Sequence, residues 1–217
     1  MIALLRRAHG RRAHIVRTLA SDSKRSIWAI ADQGVVSLGN FGVNIILFRE
    51  FDQLNLRGQY GDYWTLMEPM LFFNSLQAAL IIYPLTVRGA LSDRATHGRL
   101  TSLSLIFTMI AWPVLMLGML ITALVARIPM NVGLWAAAAL LLWQIQETTR
   151  RAMLAHVRFR GAILGDVVSY LGQIAAVAVL GWTDHLTLVT TFQAMALTSG
   201  AAALIQGTQV GLGNVRW

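Results

Sequence analysis

Four of the ten acidic residues, Asp32, Glu68, Glu147 and Asp166, interrupt stretches that are otherwise apolar. Amides and hydroxyls keep them company. Gln33, Ser37, Asn40 and Asn44 follow Asp32, Asn74 and Gln77 follow Glu68, Gln144 precedes Glu147, and Tyr170 and Gln173 follow Asp166. Cations stand close by at Arg49, Arg150, Arg151, Arg158 and Arg160. Carboxylates, guanidinium forks and amides in this mixture bind and pair ions. Catalytic templates fit them poorly. There is no GxS segment for an intramembrane serine nucleophile, and Leu164-Gly165-Asp166 falls short of GxGD because Ile163 stands where glycine is needed. No histidine is followed by an acid at acyltransferase spacing, and no DxD pair is present. Cysteine is absent, which removes thiol chemistry, disulfides and cysteine metal sites. His9 and His14 have no further ligand nearby, so neither metal nor cofactor is expected, and the chain reads as something other than an enzyme.

The elements that carry these groups are long and apolar. Hydrophobic residues make up 56% of the chain and charged ones only 13%, against about a quarter in a soluble domain. A helical span needs about 20 mostly apolar residues. Six segments meet that length, at 27–48, 63–85, 101–126, 131–149, 161–182 and 186–207. The expectation is an all-α polytopic membrane protein. Residues 27–207 form a bundle of six transmembrane helices, 1–26 a basic cytoplasmic segment, and 208–217 a short tail or the start of a linker between bundles.

The net charge of +8 follows topology. Lys and Arg number 7, 2, 3, 1, 4, 0 and 1 in successive connections, a strict alternation of high and low. The positive-inside rule then places both termini in the cytoplasm. It also argues against a nucleic-acid partner; the partner of this chain is the lipid bilayer. The 1–26 segment lacks an apolar run of signal-peptide length. Its Leu4, Leu5, Ile15, Val16 and Leu19 allow a helix lying on an anionic membrane surface, with a solvated basic tail as the plainer reading. Tyr60, Tyr63 and Trp64 stand where an interfacial aromatic belt would lie.

At 3.6 residues per turn, Gln33, Ser37, Asn40 and Asn44 fall within an arc of about 60°, with Asp32 about 100° off it. Gln144, Glu147 and Arg151 make a second stripe, and Asp166, Tyr170 and Gln173 a third. Singly, Asn40, Asn44, Gln77 and Gln173 read equally as interhelical hydrogen-bonding glue. Asp32 and Asp166 likewise read as hydrated charge at headgroup depth. Together the stripes point to a polar cavity between helices. Arg150, Arg151, Arg158 and Arg160 crowd its inner mouth, either as positive-inside anchors or as a landing site for an anionic headgroup. Gly161, Gly165 and Ser169, and also Ala194, Thr198 and Ala202, recur every fourth residue, the spacing of closely packed membrane helices.

Two passages carry a family resemblance. "WAIADQGVVSLGNFGVNIILFREF", with "GQYGDYWTLMEPMLFFNSLQAALIIYPLTVRGA", resembles the start of bacterial polysaccharide (O-antigen-type) flippases of the multidrug/oligosaccharidyl-lipid/polysaccharide exporter superfamily. "QIQETTRRAMLAHVRFRGAILGDVVSYLGQ" is similar to that family's passage from fourth to fifth span. The resemblance implies a multi-pass protein of the bacterial cytoplasmic (inner) membrane. Its substrate would be an undecaprenyl-diphosphate-linked oligosaccharide, a lipid-linked anionic glycan, moved between leaflets for polysaccharide biosynthesis. The implied cavity residues are Asp32, Arg49, Glu68, Glu147, Arg150, Arg151 and Asp166; the stripes add Gln33, Asn40, Asn44, Gln77 and Gln173. Family members usually have twelve or more spans, and this chain looks like the amino-terminal bundle alone. A second six-helix bundle is therefore expected, from the rest of a longer chain or from a dimer. A drug or cation exporter of the same superfamily, and a membrane scaffold for glycan assembly, are the competing expectations.

Overall fold

The computed structural model describes the backbone of residues 2–53, 57–156 and 158–210, and the side chains of 27–53, 58–93, 95–156 and 158–210. The readings of the side chains before Ile27, and of the tail beyond Val210, lie outside the described residues. All described elements are helical: α1 (Ile2–Gln53), α2 (Arg57–Gln77), α3 (Tyr83–Ala90), α4 (Arg94–Val125), α5 (Met130–Ala155), α6 (Phe159–Asp166), α7 (Gly172–Trp182) and α8 (Leu188–Val210). A π-helical turn at Ala78–Ile82 joins α2 to α3, and another at Val167–Leu171 joins α6 to α7, so eight segments make six rods. The protein is an all-helical membrane protein. Five rods are long and apolar enough to cross a bilayer. The sixth, α5, has the length but is polar in its second half.

Helices are what such sequence must form in hydrocarbon, where each backbone N–H needs a partner within its own segment. Many hydroxyls follow the same rule. Thr101, Thr108, Thr122, Thr148 and Thr198 each donate to the carbonyl four residues earlier. The first π turn precedes Pro84, which has no N–H and crowds the carbonyl of Leu80; one extra residue in the turn relieves both defects. The tight turn after α4 closes through Arg127 at φ 58°, and the turn after α7 through Asp184 at φ 57°. In each, the next N–H reaches back five residues, Ile128 to Ala123 and His185 to Leu180.

The interior is layered along the helix axes. Toward the α4–α5 turn lies an apolar core of Leu47, Phe51, Leu66, Met70, Met119, Leu140 and Phe192. Tyr63 belongs to it, 3% exposed and stacked on Phe192, so the expected aromatic belt turns inward at this position. Toward the α5–α6 turn lies a smaller cluster of Leu85, Ala152, Met153, Ala162 and Val210. Between them is a belt of buried polar groups. Leu38, Phe41, Phe72, Leu117, Leu197 and Leu204 point outward, as lipid-facing positions should.

Glycines set the close approaches. A side chain at Gly39 of α1 would collide with Tyr170, and one at Gly165 of α6 with Gln206 of α8. The expected small-residue ridge on the α6–α7 rod does pack this way, with Ser169 3.5 Å from Ser199 across the contact.

Candidate functional site

The segment Gln144-Ile145-Gln146-Glu147-Thr148-Thr149-Arg150-Arg151 puts a polar side chain on nearly every side of α5, since successive residues turn by about 100°. A helix polar all round has no face to offer lipid. It is stable in a membrane only at the centre of the bundle, where each polar group finds a partner. α5 occupies that position and packs against α2, α3, α4, α6 and α8.

On the side of α2 and α4, Gln77 donates to Thr108 Oγ1 at 3.0 Å, Gln144 O at 3.1 Å and Thr148 Oγ1 at 3.1 Å. Toward α8, Gln146 Oε1 accepts from Ser169 at 2.9 Å, and Gln206 Oε1 accepts from Thr149 at 3.2 Å. Gln206 in turn donates to Ala162 O at 3.1 Å. These bonds join helices without needing a ligand.

Toward α1 and α6 the belt becomes charged. Arg150, 5% exposed, donates from Nε to Asp166 Oδ2 at 2.7 Å and from Nη1 to Glu147 Oε2 at 3.3 Å. Its Nη2 binds Asp32 Oδ2. Arg151 closes the group, with Nε 2.5 Å from Glu147 Oε1. Asp32 and Asp166 each keep a buried Oδ1 without a hydrogen-bond partner among the described residues. Asp32 enters this cluster because it lies off the polar stripe of α1 and turns into the bundle. Counted as ionised, three carboxylates face Arg150 and Arg151, an excess of one negative charge.

Beside the cluster is a cavity of about 230 Å³ lined by Asn40, Asn44, Gln173, Ser169 and Ser199 together with Tyr63, Trp64, Trp143 and Tyr170. Asn44 Nδ2 donates to Asn40 O at 2.9 Å and leaves its Oδ1 buried without a partner. The π turn Val167–Leu171 opens immediately after Asp166 and presents both Ser169 and Tyr170 to the interior. Gln33 and Ser37 continue the same stripe on the exposed surface of α1.

The expected site thus divides. Asp32, Glu147, Arg150, Arg151 and Asp166 meet in one cluster, and Asn40, Asn44 and Gln173 share one cavity. Gln77 is corrected from a cavity residue to a buried tie between α2, α4 and α5. Arg49 and Glu68 are exposed and stand outside both the cluster and the cavity. The four arginines expected at one inner mouth disperse. Arg150 is consumed by carboxylates, Arg151 pairs with Glu147, Arg158 donates to Gln209 O at 2.8 Å, and Arg160 lies 5.3 Å above the Trp28 ring. Gln146, Thr149, Trp143 and Gln206 escaped the sequence reading. For Gln146 and Thr149 the signal was present in the crowding of polar residues around α5, which forces a central position. For Gln206 there was none. No family model, curated protein or solved structure matches the chain.

Proposed function

We propose that this chain is one bundle of an alternating-access transporter that moves a lipid-linked anionic oligosaccharide across the bacterial cytoplasmic membrane, with six spans and both termini in the cytoplasm. The observation that carries the reading is the division of labour on α1. Asp32 is sealed inside the bundle, whereas Gln33, Ser37 and Asn40 are exposed on a segment long and apolar enough to span a membrane. Amides at that depth facing lipid would be unsatisfied; facing a water-filled lumen shared with a second bundle, they are solvated. The lumen holds the glycan, whose hydroxyls suit Asn, Gln and Ser and whose ring faces suit Trp64 and Trp143. The charge cluster serves as a rigid joint between α1, α5 and α6, which rocking of a bundle as one body requires. The pyrophosphate is left to exposed cations such as Arg151 and Arg160.

Deletion of the gene in its host is expected to remove surface polysaccharide while leaving drug tolerance unchanged. Intact polysaccharide in the deletion strain would refute the reading. The excess acid of the cluster favours a second reading, export of a cationic drug, and lost drug tolerance with normal polysaccharide would select it. A scaffold would instead tolerate replacement of Asn40, Asn44 and Gln173 with full polysaccharide output.

A further inference from the structure

A second polar site lies at the opposite side of α5, outside the charge cluster. A cavity of about 370 Å³ opens among the start of α4, the end of α5 and the end of α8, lined by His97, Ala152, Met153, His156, Arg158 and Val210. His97 is 6% exposed and donates through Nε2 to Ala152 O at 2.9 Å. That bond leaves its Nδ1 as a bare lone pair, buried and unpartnered. The His156 ring stands edge-on to it, centroids 4.1 Å apart, and its Nε2 is likewise buried without a partner. Arg158 uses Nη1 on Gln209 O and has its other donors to spare.

Among the described residues, no acid lines this cavity. The charged groups facing His97 are His156 and Arg158, and the neighbouring side chain on α8, Gln209, is neutral. The nearest acid along α4, Asp93, is the exposed N-cap and pairs with neither imidazole. Two lone pairs without a carboxylate make a poor metal site, and the fixed charge of Arg158 repels a divalent cation. The same fixed charge attracts an anion, to which an imidazole N–H can donate a hydrogen bond.

We propose that this cavity binds a phosphate group, with Arg158 and the His156 ring as its donors and His97 as the positioning residue that buttresses that ring. No covalent bond forms or breaks. The chemistry is shared by a free phosphate compound and by the headgroup of an anionic lipid, since the cavity lies at the α5–α6 end of the bundle.

The test is calorimetric titration of the purified full chain in detergent with inorganic phosphate and separately with dioctanoyl phosphatidic acid. Saturable binding is expected. Arg158→Gln should abolish it, Arg158→Lys should retain it, and His156→Gln should weaken it. Binding of both probes identifies a free phosphate compound as a sufficient ligand; binding of the lipid alone identifies the headgroup. The proposal is overturned if neither probe saturates, if binding is unchanged in Arg158→Gln and His156→Gln, or if zinc ion binds through the two histidines and phosphate does not. Arg158 is exposed, so its variants should keep the wild-type melting temperature. That separates lost binding from lost folding.

Discussion

Arg150 Nε donates to Asp166 Oδ2 across 2.7 Å, and by that bond α5 is tied to α6 where neither side chain meets solvent. The same guanidinium reaches Asp32 on α1 and Glu147 one turn back on α5. Its planar fork can serve three carboxylates at once, which a lysine ammonium on a single flexible stem cannot do in this geometry.

Because acids outnumber bases around Arg150, the two signs should respond unequally to mutation. Arg150→Gln strands two buried carboxylates, Asp32 and Asp166, and should lower stability by about 3–5 kcal/mol. Asp166→Asn keeps the shape, relieves the acidic excess, and should cost clearly less. Thermal melting of both variants in detergent checks the order; an Asp166→Asn protein less stable than Arg150→Gln would contradict the account of the cluster.

Arg150→Lys should behave as a disruptive change. It retains the charge but loses the simultaneous contacts to Asp32 and Asp166, so its melting temperature should fall nearer to Arg150→Gln than to wild type. Wild-type stability would mean that charge alone, not the fork, holds the helices.

The Gln77 side chain fixes α2 to α4 and α5 through three acceptors. Interhelical bonds of this kind in membranes contribute from about 0.6 to about 1.7 kcal/mol. Gln77→Leu should therefore destabilise within that range while leaving transport in place, a combination not expected of a substrate contact. A folded Gln77→Leu protein that had lost transport would return Gln77 to the cavity.

Gly39→Val and Gly165→Val should each cost about 1–3 kcal/mol, because the added atoms meet Tyr170 and Gln206 in packed contacts. Gly34, on the same helix as Gly39, has open space where a side chain would go, and Gly34→Ala should be tolerated. Parallel melting curves of the three variants test the positions of α1 and α6 independently of the charges.

The chain has no cysteine, so single cysteines report solvent access without background. Cysteines at Gln33, Ser37 and Asn40 should react with a membrane-impermeant maleimide in inside-out vesicles. Those at Leu38 and Ile45, which are exposed on a different side of α1, should not. Equal reactivity of the two sets would remove the wet lumen.

The all-helical, membrane-spanning character was legible in the sequence because hydrocarbon leaves a backbone no alternative, and five of the rods have the apolar length the reading expected. Four of the six expected segments lie within rods, while 101–126 runs one residue past α4 and 186–207 begins two residues before α8. The ends moved outward by a few residues, as at α5, where Met130–Ala155 replaces 131–149, because helices continue past the apolar run into their polar flanks. The stripe carrying Asp166, Tyr170 and Gln173 was also legible, and it is buried as a unit, the π turn notwithstanding. What a stripe leaves open is the direction it faces and the partner it meets. Gln77 and Asp166 look alike on a helical wheel. One became a tie between three helices and the other an acid on Arg150, because the rotation of each rod is set by packing such as Gly39 on Tyr170. The arginines near the α5–α6 turn look like one basic patch for the same reason. Long, flexible arginine side chains go where the nearest acid, carbonyl or ring lies, and only the assembled bundle determines which of these each one finds.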